Sequence, residues 1–336
     1  MNFLKNRILF RCDAGKVNEL GSGHLYRCIT IAKYLKKRFK LQNKKIIFII
    51  KVDDKFASAK KILDHYSFRV VKIKENINNY SLKEFEILSK FKSNLIIIDR
   101  LGKINKIFSK KLDKIFLKKI ILDDSSKNRK FFDLSLNPLI TNVKKFSFSN
   151  IGIKYFISPI FFFKPNKKIK TKKGVFLFFG GYDKNNLTNR ILQFLSKYND
   201  LVYYIPVSLK KNIKKSILKK NMIFFKSKYF YKYMHISKIS IISGGMSLYD
   251  SIILKKNVIC IPQYSHQTKN IKVNNLNKYL NYLYIRDTSF KNKFLKIFNL
   301  LYYKKNIVNN YKLSLSKRDI KNTLKKIESV YGETVN

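Results

Sequence analysis

At 336 residues, with 72 Lys and Arg against 20 Asp and Glu, the chain carries a formal net charge of +52. That length buries a sizeable core and suggests about two domains, and no apolar run approaches the roughly 18 residues of a membrane-spanning helix. Lysine runs almost evenly from Lys5 to Lys326 beside abundant Asn, Ile, Phe and Tyr, so A/T-rich codon usage explains the excess better than a nucleic-acid stripe does.

The opening residues pass straight into a strand pattern without a signal-peptide core, and Cys12, Cys28 and Cys260 form no CxxC pair. Both features lead us to expect a cytoplasmic protein without a disulfide framework or a zinc site; no metal and no cofactor are expected. No specific nucleic-acid partner is expected, only weak association with anionic surfaces.

Short β-branched or aromatic runs alternate with longer helical patterns, the signature of βα units and parallel sheets. The predicted strands of the first half are 8–12, 45–51, 69–72, 94–99, 119–123 and 154–157, with helices at about 25–35, 56–65 and 82–91. The polar, proline-containing run Lys164–Lys173 reads as a linker. Strands then resume at 175–179, 201–206, 222–225, 239–243, 257–262 and 282–285, and a final helix spans about 312–331. The expected fold is α/β: two Rossmann-like lobes with parallel sheets, at 1–160 and 161–310, a ligand cleft between them, and a terminal helix at 311–336.

Ligands of open α/β sheets bind where loops leave the strand ends. After the first strand comes Gly21-Ser-Gly23-His24-Leu-Tyr-Arg27, a glycine turn entering a helix, with an imidazole able to move a proton near neutral pH. Asp13, Asp99-Arg100-Leu101-Gly102 and Asp123-Asp124 end other strands of this half; they complete no metal-ligand set and suit hydrogen bonding. His65 and His235 sit in helical patterns without chemical companions and are expected to be structural.

In the second half, Gly180-Gly181-Tyr-Asp183 follows one strand, with Asn186 or Thr188 as the expected helix cap. Ser243-Gly244-Gly245-Met-Ser247 follows another and forms a candidate nest for a diphosphate, with Asp250 one helical turn on, placed for a ribose diol. The polar stretch Pro262–Thr268, with His266 and Gln267, reads as a third site loop.

In shared order, these markers resemble the UDP-sugar hydrolases of the pseudaminic acid pathway, related in fold to the MurG-type glycosyltransferases (GT-B). Further markers are Arg11-Cys12-Asp13, Leu136-Asn137-Pro138 and Gly152-Ile-Lys-Tyr155. The resemblance implies metal-independent release of UDP from a UDP-2,4-diacetamido-2,4,6-trideoxyhexose by water attack at the anomeric carbon. His24 would be the base. Asp13, Gly21, Gly23, Arg27, Asp99, His266 and Gln267 would face the sugar, and Gly180, Gly181, Asp183, Gly244, Gly245, Ser247 and Asp250 the nucleotide. A MurG-like transferase using a UDP-sugar donor is the alternative. The chain departs from the family at Arg100-Leu101, where an Asp-x-Tyr-Gly tyrosine is usual, and at His266, where Asn-Gln is common.

Overall fold

The computed structural model describes residues 7–15, 21–100, 102–165, 174–276, 280–303 and 315–335. Most of the expected linker Lys164–Lys173 therefore lies outside the described residues, as does Leu101. The chain divides into two compact units, one of residues 1–161 with 316–336 and one of residues 162–315.

The first unit runs β1 (Ile8–Cys12), α1 (Gly23–Arg38), β2 (Ile46–Lys51), α2 (Ala57–Asp64), β3 (Arg69–Ile73), α3 (Leu82–Ser89), β4 (Ser93–Asp99), α4 (Lys106–Leu112), β5 (Phe116–Leu122), β6 (Leu134–Asn137) and β7 (Ser149–Ile151). Its seven strands pair in the order β3-β2-β1-β4-β5-β6-β7, all parallel. Runs such as Leu95–Ile98 are buried throughout because helices cover both faces of a parallel sheet. α1 lies along one face of the sheet and α3 along the other.

The second unit runs β8 (Gly174–Phe178), α5 (Leu187–Phe194), β9 (Val202–Pro206), β10 (Met222–Phe225), α6 (Phe230–Ile236), β11 (Ile239–Ile242), α7 (Met246–Ile253), β12 (Asn257–Cys260), α8 (Ser265–Val273), β13 (Asn281–Tyr282) and α9 (Phe290–Tyr303). Its six strands form the parallel order β10-β9-β8-β11-β12-β13. In both sheets strand order reverses once, between β1 and β4 and between β8 and β11. Such switch points open a crevice at the strand ends.

Two expectations need correction. No strand forms at 154–157; β7 ends at Gly152, whose φ of 111° suits glycine, and Ile153–Tyr155 makes a 3₁₀ turn. The sheet instead gains β6 and β7, which the sequence pattern did not reveal. The terminal helix α10 (Lys317–Gly332) starts at a capping box between Ser316 and Asp319. It buries Ile320, Leu324, Ile327 and Tyr331 against the first unit.

Candidate functional site

His24 is the second residue of α1 and stands over the end of β4. Its Nδ1 lies 2.6 Å from Asp99 Oδ1. A carboxylate can only accept here, so Nδ1 donates to it, and in the neutral ring the lone pair then lies on Nε2. The imidazole keeps 19% of its surface while Asp99 keeps none, so the ring has one buried, anchored edge and one reachable edge.

Arg27, one turn along α1, holds the same carboxylate. Its Nε donates to Asp99 Oδ2 (2.6 Å) and its Nη2 to Asp99 Oδ1 (2.5 Å), while Nη1 reaches Asp123 Oδ2 (2.5 Å). Asp123 has a left-handed backbone (φ 48°), and its Oδ1 accepts from the amides of Leu139 and Ile140. Burial alone would raise the Asp99 carboxyl, but Arg27 and then His24 outweigh it and hold Asp99 below the usual carboxylate range. The result is a buried anion that aims an imidazole. Asn137 donates to the Asp124 carbonyl (2.9 Å), which ties the Leu136-Asn137-Pro138 marker to the same strand ends. Gly23 opens α1 and Gly21 is exposed just ahead of it.

Asp13 belongs to a different cluster, which the sequence reading did not assemble. Neighbouring residues on a strand point to opposite faces. Asp99 therefore turns to α1, while Arg100 turns to α3 and pairs with Glu84. Arg11 donates to Glu84 Oε1 (2.7 Å) and to Asp13 Oδ1 (2.7 Å), and Asp13 Oδ1 also accepts from the Lys51 amide (2.9 Å). The Arg100 guanidinium lies 4.0 Å from the centre of the Tyr80 ring, and the Tyr80 amide donates to Glu84 Oε2 (2.6 Å). Asp13 is thus spent on Arg11 and β2, on the face of the sheet away from His24.

This cluster makes the fold acid-sensitive. Burial would raise the Glu84 carboxyl, yet Arg100 and then Arg11 bring it down from 4.5 to about 2. A depressed carboxylate stabilises the fold above its unfolded value and loses that contribution as pH falls through the folded one. The shift corresponds to about 3 kcal/mol, and Asp13 and Asp99 are lowered in the same direction. We expect the urea midpoint to drop steeply between about pH 4.5 and 2, followed by far-ultraviolet circular dichroism. A midpoint unchanged across that window would refute the assignment.

In the second unit three loops meet at the ends of β8, β11 and β12. The Gln263 side chain donates from Nε2 to the carbonyls of Phe179 and Tyr182, and its Oε1 accepts from the Asn185 amide (3.2 Å). Gln267 Oε1 in turn accepts from the Gln263 amide (2.9 Å). Gly244 lies under Gln267: a Cβ there would stand 3.0 Å from both Gln267 Cβ and Ile271 Cδ1, a contact tight enough that these side chains would have to shift. Gly180, at φ 94°, takes a left-handed backbone that favours glycine. Gly180, Gly181, Gly244, Gly245 and Gln267 are brought together. Ser247 and Asp250 follow on the first turns of α7, both buried, and Tyr231 Oη donates to Asp250 Oδ2 (3.2 Å).

Two expected contacts in this unit differ. Asp183 is the helix cap: Oδ1 accepts from the Leu187 amide and Oδ2 from that of Thr188, each at 2.8 Å. Asn186 holds the cap position in a left-handed conformation without a capping bond, so Asp183 is committed to α5. His266 stands within α8, its ring stacked on Tyr264 at 5.6 Å, because the polar run expected as a loop becomes helical at Ser265. Among the described residues no group of three or more His, Cys, Asp or Glu side chains is arranged to hold a metal ion.

No protein-family profile matches the chain. An alignment 199 positions long, covering 54% of the chain, shows 31% identity to an uncharacterized protein of Methanocaldococcus jannaschii and spans 39% of that relative's length. Solved structures match over nearly the whole chain. The glycosyltransferase of kitacinnamycin superposes with a TM-score of 0.65 at 9% identity, covering 99% of this chain and all of its own. The calicheamicin glycosyltransferase CalG4 gives 0.62 at 10% identity, covering 100% of each chain. The chain has the GT-B fold. UDP-GlcNAc 2-epimerase from Neisseria meningitidis, bound to UDP-GlcNAc, gives 0.56 at 13% identity over 97% of this chain and 100% of its own. At these identities the match defines architecture alone. Among the described residues no helix is long and apolar enough to cross a membrane.

Proposed function

We propose that this GT-B protein is a cytoplasmic nucleotide-sugar hydrolase that releases UDP from a UDP-2,4-diacetamido-2,4,6-trideoxyhexose, in the manner of the pseudaminic acid pathway enzymes it resembles. The observation that carries the reading is the His24–Asp99 pair, whose geometry presents Nε2 as a base. In this reading Nε2 takes a proton from water, the water oxygen bonds to the anomeric carbon, and the carbon–oxygen bond to the β-phosphate breaks. The electron pair leaves with UDP, and the imidazolium, stabilised by Asp99, returns its proton to solvent. Backbone N–H groups of Gly244 to Ser247, at the positive end of α7, receive the departing diphosphate, and Asp250 the ribose.

A transferase of the same fold is the second reading, favoured by the glycosyltransferases among the structural neighbours. There Nε2 would deprotonate an acceptor hydroxyl instead of water. We expect UDP to appear from the diacetamido-trideoxyhexose nucleotide with EDTA present and no acceptor, measured by coupled UDP detection over a panel of UDP-sugars. Release from any donor only after a sugar or lipid acceptor is added would replace the hydrolase reading with the transferase. No release under either condition would reject both.

A further inference from the structure

Beside the start of α5, where the loop after Gly180-Gly181 enters the helix, Asp183, Asn186, Thr188, Asn189, Leu209, Asn212 and Ile213 line a cavity of 220 Å³. It lies between α5 and the 3₁₀ turn Val207–Asn212 that follows β9. Strand order places β9 on the side of β8 opposite β11, so the cavity lies across β8 from the Ser243–Ser247 loop. We propose that this cavity is a second binding site, for a single uncharged sugar or similar small polyhydroxylated molecule.

Three observations carry this. The first is the chemistry of the walls. In a chain with 72 Lys and Arg, none of the seven lining residues is cationic. The one acid, Asp183, has both oxygens committed to the helix amides. What remains is amide and hydroxyl, the groups that pair with sugar hydroxyls, beside Leu209 and Ile213, which suit the apolar face of a pyranose. An anionic ligand would meet no counter-charge here.

The second is an unpaired group. Thr188 is 3% exposed, and its Oγ1 has no hydrogen-bond partner among the described residues. Buried hydroxyls are normally paired, and this one lines the cavity. The third is rigidity and size. Asn189 donates to Asn186 Oδ1 (2.5 Å) and to the Asn212 carbonyl (2.9 Å), and accepts from the Lys214 amide (3.1 Å). The wall is therefore built before any ligand arrives. At 220 Å³ the space falls below the roughly 300–1,000 Å³ of pockets for drug-sized ligands, which fits one ring and not a nucleotide.

The test uses the full-length protein and saturation-transfer NMR with glucose, N-acetylglucosamine, inorganic phosphate and acetate as separate probes. At least one neutral sugar should bind with an affinity in the millimolar range, phosphate and acetate should not compete with it, and saturating UDP should leave it bound. Thr188→Val keeps the side-chain shape and removes only an unpaired hydroxyl, so thermal stability should hold while sugar affinity falls about fivefold or more. Asn212→Leu should weaken binding further. Absence of binding for both sugars, unchanged affinity in Thr188→Val, displacement by UDP, or competition by phosphate would each overturn the proposal. None of these outcomes depends on UDP-sugar hydrolysis, so this site and the function proposed above fail independently.

Discussion

Asp99→Asn is expected to cut UDP release about 1,000-fold while leaving UDP affinity nearly unchanged. Asparagine at this position fits the space but offers an amide N–H where His24 now finds an acceptor. The imidazole would then be held with its proton on Nε2, the nitrogen that must accept one. His24→Ala should cost about 100-fold or more through loss of the base itself. The two substitutions act on one unit, so the double variant should be little worse than Asp99→Asn alone. Because Arg27 keeps Asp123 as a partner at 2.5 Å, the fold should survive; thermal melts of each variant check this. Turnover within tenfold of the parent in either single variant would remove His24 from the chemistry.

Glu84→Gln should have the largest effect on stability, about 3–5 kcal/mol, read as a fall of roughly 10 °C in the melting temperature of the first unit. The carboxylate is the shared counter-ion of Arg11 and Arg100, and all three side chains are 1% exposed or less. Glutamine removes the negative charge and leaves Arg100 without an ionic partner in a place water does not reach. Arg11 keeps Asp13 at 2.7 Å, which limits the damage. The variant should also lose most of the acid-induced drop between pH 4.5 and 2, because the group that titrates there is gone. Parent-like melting and an unchanged acid profile together would show that the cluster contributes nothing net.

Much of the architecture was legible because its signals are local. Apolar runs such as Ile46–Ile50 can only be central strands, and glycine turns mark where they end. His24, Arg27, Asp99 and Asp123 could be read individually as polar residues at strand ends, but the pairing that orients His24 depends on two strands and a helix meeting. Glu84 was not legible at all. It lies between Lys83 and Phe85 in a short amphipathic helix that also carries Glu86, where an acid reads as solvent-facing. The available signal was Arg11, a charge inside the otherwise apolar strand Ile8–Cys12, which demands a buried partner. With β1 and β4 paired so that Arg11 lies opposite Ile98, Arg100 falls on the same face and the demand doubles. β6 and β7 escaped notice because short strands rich in Ser and Asn carry little hydrophobic alternation. Asp183 misled because a carboxylate after a glycine turn serves a helix cap as well as a ligand.

The docking of α10 has a consequence for how the molecule is made. Tyr34 and Arg38 of α1 both bond Glu328, each at 2.5 Å, Phe39 packs edge-on against Tyr331, and Asn94 donates to the carbonyl of Thr334. The helix that carries His24 is thus braced by residues synthesised almost 300 positions later. Domains generally fold as the ribosome releases them, amino-terminal first, at about 5–20 residues per second. Here the order is inverted: the second unit lies in one continuous stretch, while the first is completed by α10, which follows the second unit in the chain. The helix that carries His24 therefore gains these contacts only after the second unit has been synthesised.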